Sequence, residues 1–405
     1  MDVMLLAGTR PEAVKLAPLA RALGGHEVLR PVIVHSGQHD GMVEQALAPF
    51  GLLVDMWLHT PPCGTDRPAE VVAGLLPALD DTFRRYRPAA LVVQGDTATV
   101  LAGALAAFWA GIPVVHLEAG MRTHDLNGAF WGYDPQTSHR GKPPYPLPFP
   151  EEGIRQMVSR IAALHLAPTT TAAAALRAEG IPRQQITLVG NTVVDAVQLI
   201  TQRDLPARCP ELALLEMEVA EAGQRLILIA AHRRESWGAP LGRILSAVRR
   251  LVEEHDDVQV LFPVDPGPAV RDQVIGALGD LPRVTITEPL DYPDLIRALR
   301  LATLVLTDAV GIQEEAPTFG TPVLVLRDTT ERREAVDEGY AWLVGTDSDT
   351  IHLAATEVLI GRLAPPHREN PYGDGKAAVR AVIALEDLLG IAEGYYPSAV
   401  PASET

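Results

Sequence analysis

The chain has 405 residues, enough for two domains, and 47% of them are apolar, enough for sizeable cores. Its 34 Lys and Arg against 51 Asp and Glu give a formal charge of −17, which argues against a nucleic-acid-binding surface. The two cysteines, Cys63 and Cys209, have no metal or redox spacing and read as ordinary thiols of a reducing compartment.

In chain order, short apolar runs alternate with helical patterns. The strand candidates of the first half are Val3–Leu6, Val28–Val34, Ala90–Val93, Pro113–His116, Leu164–Ala167 and Ile186–Val189. Those of the second half are Leu226–Ala230, Val258–Pro263, Val284–Thr287, Leu304–Leu306 and Val323–Leu326. This alternation predicts parallel sheets with crossover helices, an α/β protein with two sheets rather than one. The start "MDVMLLAGTRPEA" has no basic segment before its apolar run, unlike a signal peptide. The run from Val100 to Val115 is broken by Gly111-Ile112-Pro113 and flanked by Asp96 and Glu118, so it reads as a helix turning into a buried strand, not a membrane span. The expectation is a soluble, cytoplasmic protein without nucleic-acid or membrane partners.

A polar stretch after "GNTVVDAVQL" sets the predicted boundary. Residues 1–190 form one Rossmann-like domain, residues 191–365 a second, and residues 366–405 a segment that packs back on the first, with Gly394–Thr405 as a frayed tail. Two such domains place the ends of their parallel strands around a central cleft. Residues 126–150 break the rhythm with six prolines, three glycines and five aromatics. A loop of this kind is a lid or binding loop, a partner contact or a floppy insert, and its aromatics weigh against simple disorder.

Chemistry-bearing residues cluster just after strands. Arg10 and Lys15 follow the first; Arg10 suits an anionic ligand, or a surface ion pair. Asp96 and Thr97 follow the third, and either can cap the next helix. Glu118 ends the next strand, with Arg122, His124 and Asp125 beyond it. Carboxylates at adjacent strand ends can supply an acid and a base to one cleft. Glu151, Glu152 and Arg155 open a helix after the long loop, where glutamate is also favourable for the helix dipole alone. His232, Arg233, Arg234 and Glu235 end a strand of the second half, an anion-binding set with a proton-transferring histidine. "TDAVGIQEEAP" has the strand–turn–helix form of a phosphate site, with Ala309, Val310 and Gly311 at the turn and Glu315 placed to hold a ribose diol. Arg327 to Arg332 follow the next strand. No metal-ligand spacing is present.

Taken together, "GTRPEAVKLAPL", "SGQH", "QGDT", "HLEAGMRTHDL", "PEEGIR", "LVGNTVVDA", "AHRRESWG", "EPLDY", "GIQEEAP", "LVGTD" and "NPYGDG" resemble the non-hydrolysing UDP-N-acetylglucosamine 2-epimerases over nearly the whole chain. The resemblance implies the GT-B fold and a reaction that inverts C2 of the sugar by eliminating UDP and adding it back. It needs no nicotinamide or metal cofactor, and it carries the expectation of a homodimer. By motif match, Asp96, Glu118 and Glu151 stand where the family has its acid/base carboxylates. His232 stands at a catalytic or diphosphate position, Arg10 at a diphosphate contact and Glu315 at the ribose. Lys15, Arg122, Arg155 and Arg233 join the substrate-binding set. Gln38, Gln45 and Arg67 lie near where some bacterial members bind a second UDP-sugar as activator.

Three departures stand out. The family's "TDSGGIQEE" is here "TDAVGIQEE", so Ala309 lacks a hydroxyl and Val310 puts a branched side chain, at a backbone angle valine resists, where glycine admits phosphate. The family's "YPVHPNP" is here "FPVDPGP", and Asp265 near a diphosphate would repel it by about 4 kcal/mol at about 4 Å and an effective dielectric of about 20. The long loop also separates the two motifs that hold Glu118 and Glu151. The first reading is therefore an epimerase acting on a UDP-sugar. The second is epimerase-type proton chemistry on a secondary-metabolite ligand without a diphosphate. The third is a non-catalytic sugar-binding descendant.

Overall fold

The computed structural model describes residues 1–39, 41–58, 67–123, 148–231, 237–366 and 369–391. The chain forms two compact units, residues 1–195 with the chain from Gly375 onward, and residues 196–374.

The first unit holds a seven-stranded parallel sheet. Its strands are β1 (Asp2–Ala7), β2 (Arg30–His35), β3 (Met56–Trp57), β4 (Ala90–Gln94), β5 (Val114–Leu117), β6 (Leu164–Ala167) and β7 (Ile186–Leu188), in spatial order β3-β2-β1-β4-β5-β6-β7. Its helices are α1 (Arg10–Gly24), α2 (Met42–Leu47), α3 (Pro68–Tyr86), α4 (Ala98–Trp109), α5 (Glu151–Ile161) and α6 (Thr170–Ala178). The central strands are continuous apolar runs because helices cover both faces. In α3, Val71, Leu75, Leu79 and Phe83 recur every four residues and are all buried on one face. Gly103 lets α4 lie close to the sheet: a Cβ there would come within 2.5 Å of Leu6 Cδ2.

The division between the units falls within α7 (Thr192–Arg203). Just before it, the Asp195 carboxylate accepts the N–H groups of Ala377 and Ala378 at 3.2 and 2.9 Å, capping the last described helix. That helix packs against α1, where His26 and Glu386 meet at 2.9 Å.

The second unit contains α8 (Pro210–Ala222), α9 (Ala239–Glu254), α10 (Pro268–Leu278), α11 (Tyr292–Leu301), α12 (Val310–Glu315), α13 (Arg333–Asp337) and α14 (Ser348–Leu359); α15 (Ala377–Leu389) returns to the first. Its parallel sheet comprises β8 (Arg225–Ala230), β9 (Val258–Pro263), β10 (Val284–Thr287), β11 (Leu304–Thr307), β12 (Val323–Val325) and β13 (Ala341–Leu343), in order β10-β9-β8-β11-β12-β13. Ile227, Ile229, Val260, Phe262, Leu304 and Leu306 form the middle of its core.

The eleven expected strands are all present. β3 and β13 were not expected; they are two and three residues long, and each ends its sheet. In both units the chain builds outward on one side of its first strand, then crosses to the other side. The order therefore reverses between β1 and β4, and between β8 and β11. Loops at such points diverge and leave a crevice beyond the strand ends. Among the described residues, no helix is long and apolar enough to cross a membrane.

Candidate active site

The reversal point of the first sheet gathers five of the expected residues: Arg10, Lys15, Asp96, Glu118 and Arg155. β1 ends at Ala7, and Gly8 and Thr9 turn the chain into α1, which begins at Arg10. β4 ends at Gln94, and Gly95, at φ 82°, turns the chain past Asp96. Thr97, not Asp96, caps α4, its hydroxyl accepting the Val100 N–H at 3.3 Å. Asp96 is thereby left to another partner, Arg155 on α5, whose Nε donates to it at 2.7 Å. Arg155 is buried and also pairs with Glu152 at 2.9 Å.

Glu118 follows β5 on the neighbouring strand. Its backbone lies at φ 67°, a left-handed conformation that costs a residue with a Cβ about 1–3 kcal/mol and persists where surrounding structure imposes it. Lys15 reaches from α1 to form a buried ion pair with its Oε2. Gln94 donates its amide to the same oxygen at 2.8 Å. The side chain is thus fixed from two elements, and the Lys15 ammonium compensates its charge.

His116, wholly buried on β5, donates Nε2–H to the Gly95 carbonyl at 2.8 Å. Burial pushes its pKa down to about 4, so at neutral pH the ring is uncharged. Glu12 was not singled out from the sequence. It accepts the N–H groups of Gly8 and Thr9 at 2.6 and 2.8 Å and the Thr97 hydroxyl at 2.5 Å, and burial raises its pKa to about 7.

Not every expected residue converges here. Arg122 donates Nε and Nη2 to Glu179 at 2.7 and 3.0 Å, Nη2 also to Ser159 at 3.0 Å, and Nη1 to the Met121 carbonyl at 2.8 Å. These partners lie within the protein, and none is an expected site residue. Glu151 opens α5, half-buried. Gln38 sits beside the same reversal point, its amide oxygen accepting the Thr99 hydroxyl at 2.6 Å. Gln45 is exposed on α2, and Arg67 is exposed and pairs with Glu70. His124, Asp125, most of the 126–150 segment, Cys63, His232, Arg233, Arg234, Glu235 and the 394–405 tail lie outside the described residues.

At the second sheet's reversal point, β11 ends in Thr307, whose hydroxyl donates to the Ala230 carbonyl at 2.7 Å and accepts the Ala309 N–H at 2.9 Å. Ala309 caps α12 without a side-chain bond, and Val310, Gly311 and Glu315 lie within the helix. Val310 is absent from the left-handed region, so the expected conflict between valine and backbone angle does not arise; only its bulk differs from glycine. A Cβ on Gly311 would meet nothing nearer than Glu315 Oε1, at 3.9 Å. α12 is supported from behind: Thr330 donates to Gln313 at 2.7 Å, Arg332 to Glu314 at 2.5 Å, and Asn370 to the Glu314 carbonyl at 2.8 Å. Asp265 is occupied locally, accepting the Gly267 N–H at 2.8 Å before α10. Among the described residues, no three His, Cys, Asp or Glu side chains stand together as a metal site.

The chain is similar to known proteins. A family model described as UDP-N-acetylglucosamine 2-epimerase matches residues 21–131 and 145–386, its interruption falling inside the proline-rich segment. The chain is 38% identical to the UDP-N-acetylglucosamine 2-epimerase of Yersinia pestis, over 96% of this chain and 99% of that one. It is 39% identical to that of Bacillus subtilis, covering 96% and 95%. Among solved structures, the UDP complex of S. aureus MnaA superposes with a TM-score of 0.82 at 34% identity, covering 98% of this chain and 99% of that one. The Neisseria meningitidis UDP-GlcNAc 2-epimerase bound to UDP-GlcNAc also gives 0.82, at 32% identity and 96% and 100% coverage.

Proposed function

The chain belongs to the UDP-N-acetylglucosamine 2-epimerase family, and from that premise we propose that it inverts C2 of a UDP-linked N-acetylhexosamine. A base removes the C2 proton while the C1–O bond to UDP breaks, leaving a 2-acetamidoglucal and UDP. UDP then adds back to C1 as an acid delivers a proton to the opposite face of C2. Asp96, Glu118 and Glu151 are the groups for these proton transfers. Arg10, His232, Arg233 and the first turn of α12 are the groups for the departing diphosphate, whose charge grows in the transition state. Glu315 is the group for the ribose.

The reading rests on Glu118. A buried carboxylate held in a left-handed backbone by a lysine and a glutamine is costly to build for packing alone. It lies on the strand beside the one that presents Asp96. Incubation with UDP-N-acetylglucosamine in deuterated solvent tests the reaction: deuterium at C2 is expected, and its absence despite binding would overturn the proposal.

A second reading keeps the proton chemistry but gives the protein a secondary-metabolite ligand without a diphosphate. Ala309, Val310 and Asp265 favour it, because no side-chain hydroxyl caps α12 and a carboxylate stands in the loop after β9. Calorimetry with UDP separates the two. Binding below about millimolar is expected for the first reading, and no heat at that concentration selects the second.

A further inference from the structure

Glu12 has no part in the proton transfers or ligand contacts above, yet its surroundings exceed what helix capping requires. As the third residue of α1 it bonds the Thr9 N–H, an arrangement that by itself stabilises the start of a helix on an exposed surface. Here the residue is 1% exposed, and burying a carboxylate costs more than a cap returns. Its other oxygen leaves the helix altogether and accepts the hydroxyl of Thr97, 85 residues away. That bond spans the reversal point of the sheet, from the β1–α1 turn to the β4–α4 turn. Thr97 directly follows Asp96. On the far side of Asp96, the Gly95 carbonyl is held by His116 and its N–H donates to the Leu117 carbonyl at 3.1 Å.

We propose that Glu12 is a positioning residue: it ties the turn that carries Asp96 to the turn that carries Arg10, while His116 braces the first of these turns from its other end. The proposal rests on the epimerase reading above. Two parallel strands whose turns diverge leave the turns free to splay, and a bridging carboxylate with donors on both removes that freedom. Glutamine at this position preserves the bridge. Its carbonyl accepts the Gly8 and Thr9 N–H groups, and its NH2 donates to the Thr97 oxygen once the hydroxyl rotates. Alanine removes the bridge, and valine at position 97 removes it from the opposite side.

Steady-state kcat and KM with UDP-N-acetylglucosamine are measured for the wild type, Glu12→Ala, Glu12→Gln, Thr97→Val and Thr97→Ser. A displaced catalytic group predicts a kcat about 100-fold lower in Glu12→Ala with a smaller change in KM, and recovery to within about fivefold of wild type in Glu12→Gln. Thr97→Val loses activity in the same sense, and Thr97→Ser recovers it. A Glu12→Ala kcat within about threefold of wild type, or a Glu12→Gln as slow as Glu12→Ala, overturns the proposal. Should Glu12→Ala fail to fold, equal kcat in Thr97→Val and Thr97→Ser overturns it. Should the wild type not turn over this substrate, the epimerase reading fails separately, and amide hydrogen exchange across residues 95–98 decides the tie. Faster exchange in Glu12→Ala than in Glu12→Gln supports it, and equal exchange overturns it.

Discussion

In their described residues, the two sheet-reversal points differ in how densely they match buried charge. At β1/β4, charged side chains are matched and mostly buried: Lys15 with Glu118, Arg155 with Glu152 and the half-buried Asp96, and Glu12 among three donors. At β8/β11, among the described residues, the start of α12 carries the neutral side chains of Ala309 and Val310 next to the buried Asp308, and the Arg332–Glu314 pair sits behind the helix as support. A shell of matched charges tolerates little change, because removing one partner strands the other in a poorly solvated site. A turn that offers backbone N–H groups can change its side chains without disturbing its frame. This gives a physical reason for the departures at Ala309 and Val310 to fall at the second point while the proposed acid/base carboxylates Asp96 and Glu118 are kept at the first.

Four experiments can break or sharpen that contrast. The largest effect belongs to Glu118→Gln, which removes the proposed proton-transfer group without altering shape. Its C2 deuterium incorporation is expected to fall by about 1,000-fold, and a fall below about tenfold would remove Glu118 from the reaction. Next, Lys15→Met strands the Glu118 carboxylate. Denaturant unfolding at pH 7 should show a loss of about 3–5 kcal/mol, and an unchanged midpoint would mean that the pair is not a buried unit.

The third concerns pH. Glu12 has its folded pKa raised from 4.5 to about 7, so the native state holds this proton more tightly than the unfolded chain does. The associated stability is complete below about pH 4.5, declines as pH rises, and is gone above about pH 7. Glu12→Gln cannot ionise, so its stability relative to wild type should increase across that window by roughly 3 kcal/mol, read as the separation of the two denaturation midpoints at pH 5 and pH 8. A separation that does not change with pH would contradict a buried, titrating Glu12. The smallest effect is expected at the second reversal point. Ala309→Ser combined with Val310→Gly should tighten UDP by about tenfold, or roughly 1.4 kcal/mol, in calorimetry. No change would place the diphosphate elsewhere.

The architecture was legible because buried parallel strands are continuous apolar runs separated by helical spacing, and eleven of them stand out that way. Two edge strands, β3 at Met56–Trp57 and β13 at Ala341–Leu343, were not, although the other two edge strands, β7 and β10, were. Candidate residues were legible by position, as charged groups directly after strands. Their partners were not. Whether Asp96 or Thr97 caps α4 is undetermined by two adjacent capping residues, and Arg155, 59 residues along the chain, engages the Asp96 carboxylate. Arg122 looked like a ligand contact because it follows a strand end, yet Glu179 lies within reach of its guanidinium. Val310 was expected to strain its turn, but α12 starts one residue after Ala309 and places it in ordinary helical backbone.

By itself, then, the order of apolar runs and turns determined two parallel α/β units and the strand ends where chemistry collects. Local patterns carry that information, because strand and helix periodicities and turn residues act over a few positions. Only the tertiary structure decided which charges are matched, that Glu118 is held in a left-handed backbone, and that Glu12 spans two turns. Those depend on contacts between residues up to 103 positions apart, as in Lys15 with Glu118, and on burial that no single segment encodes.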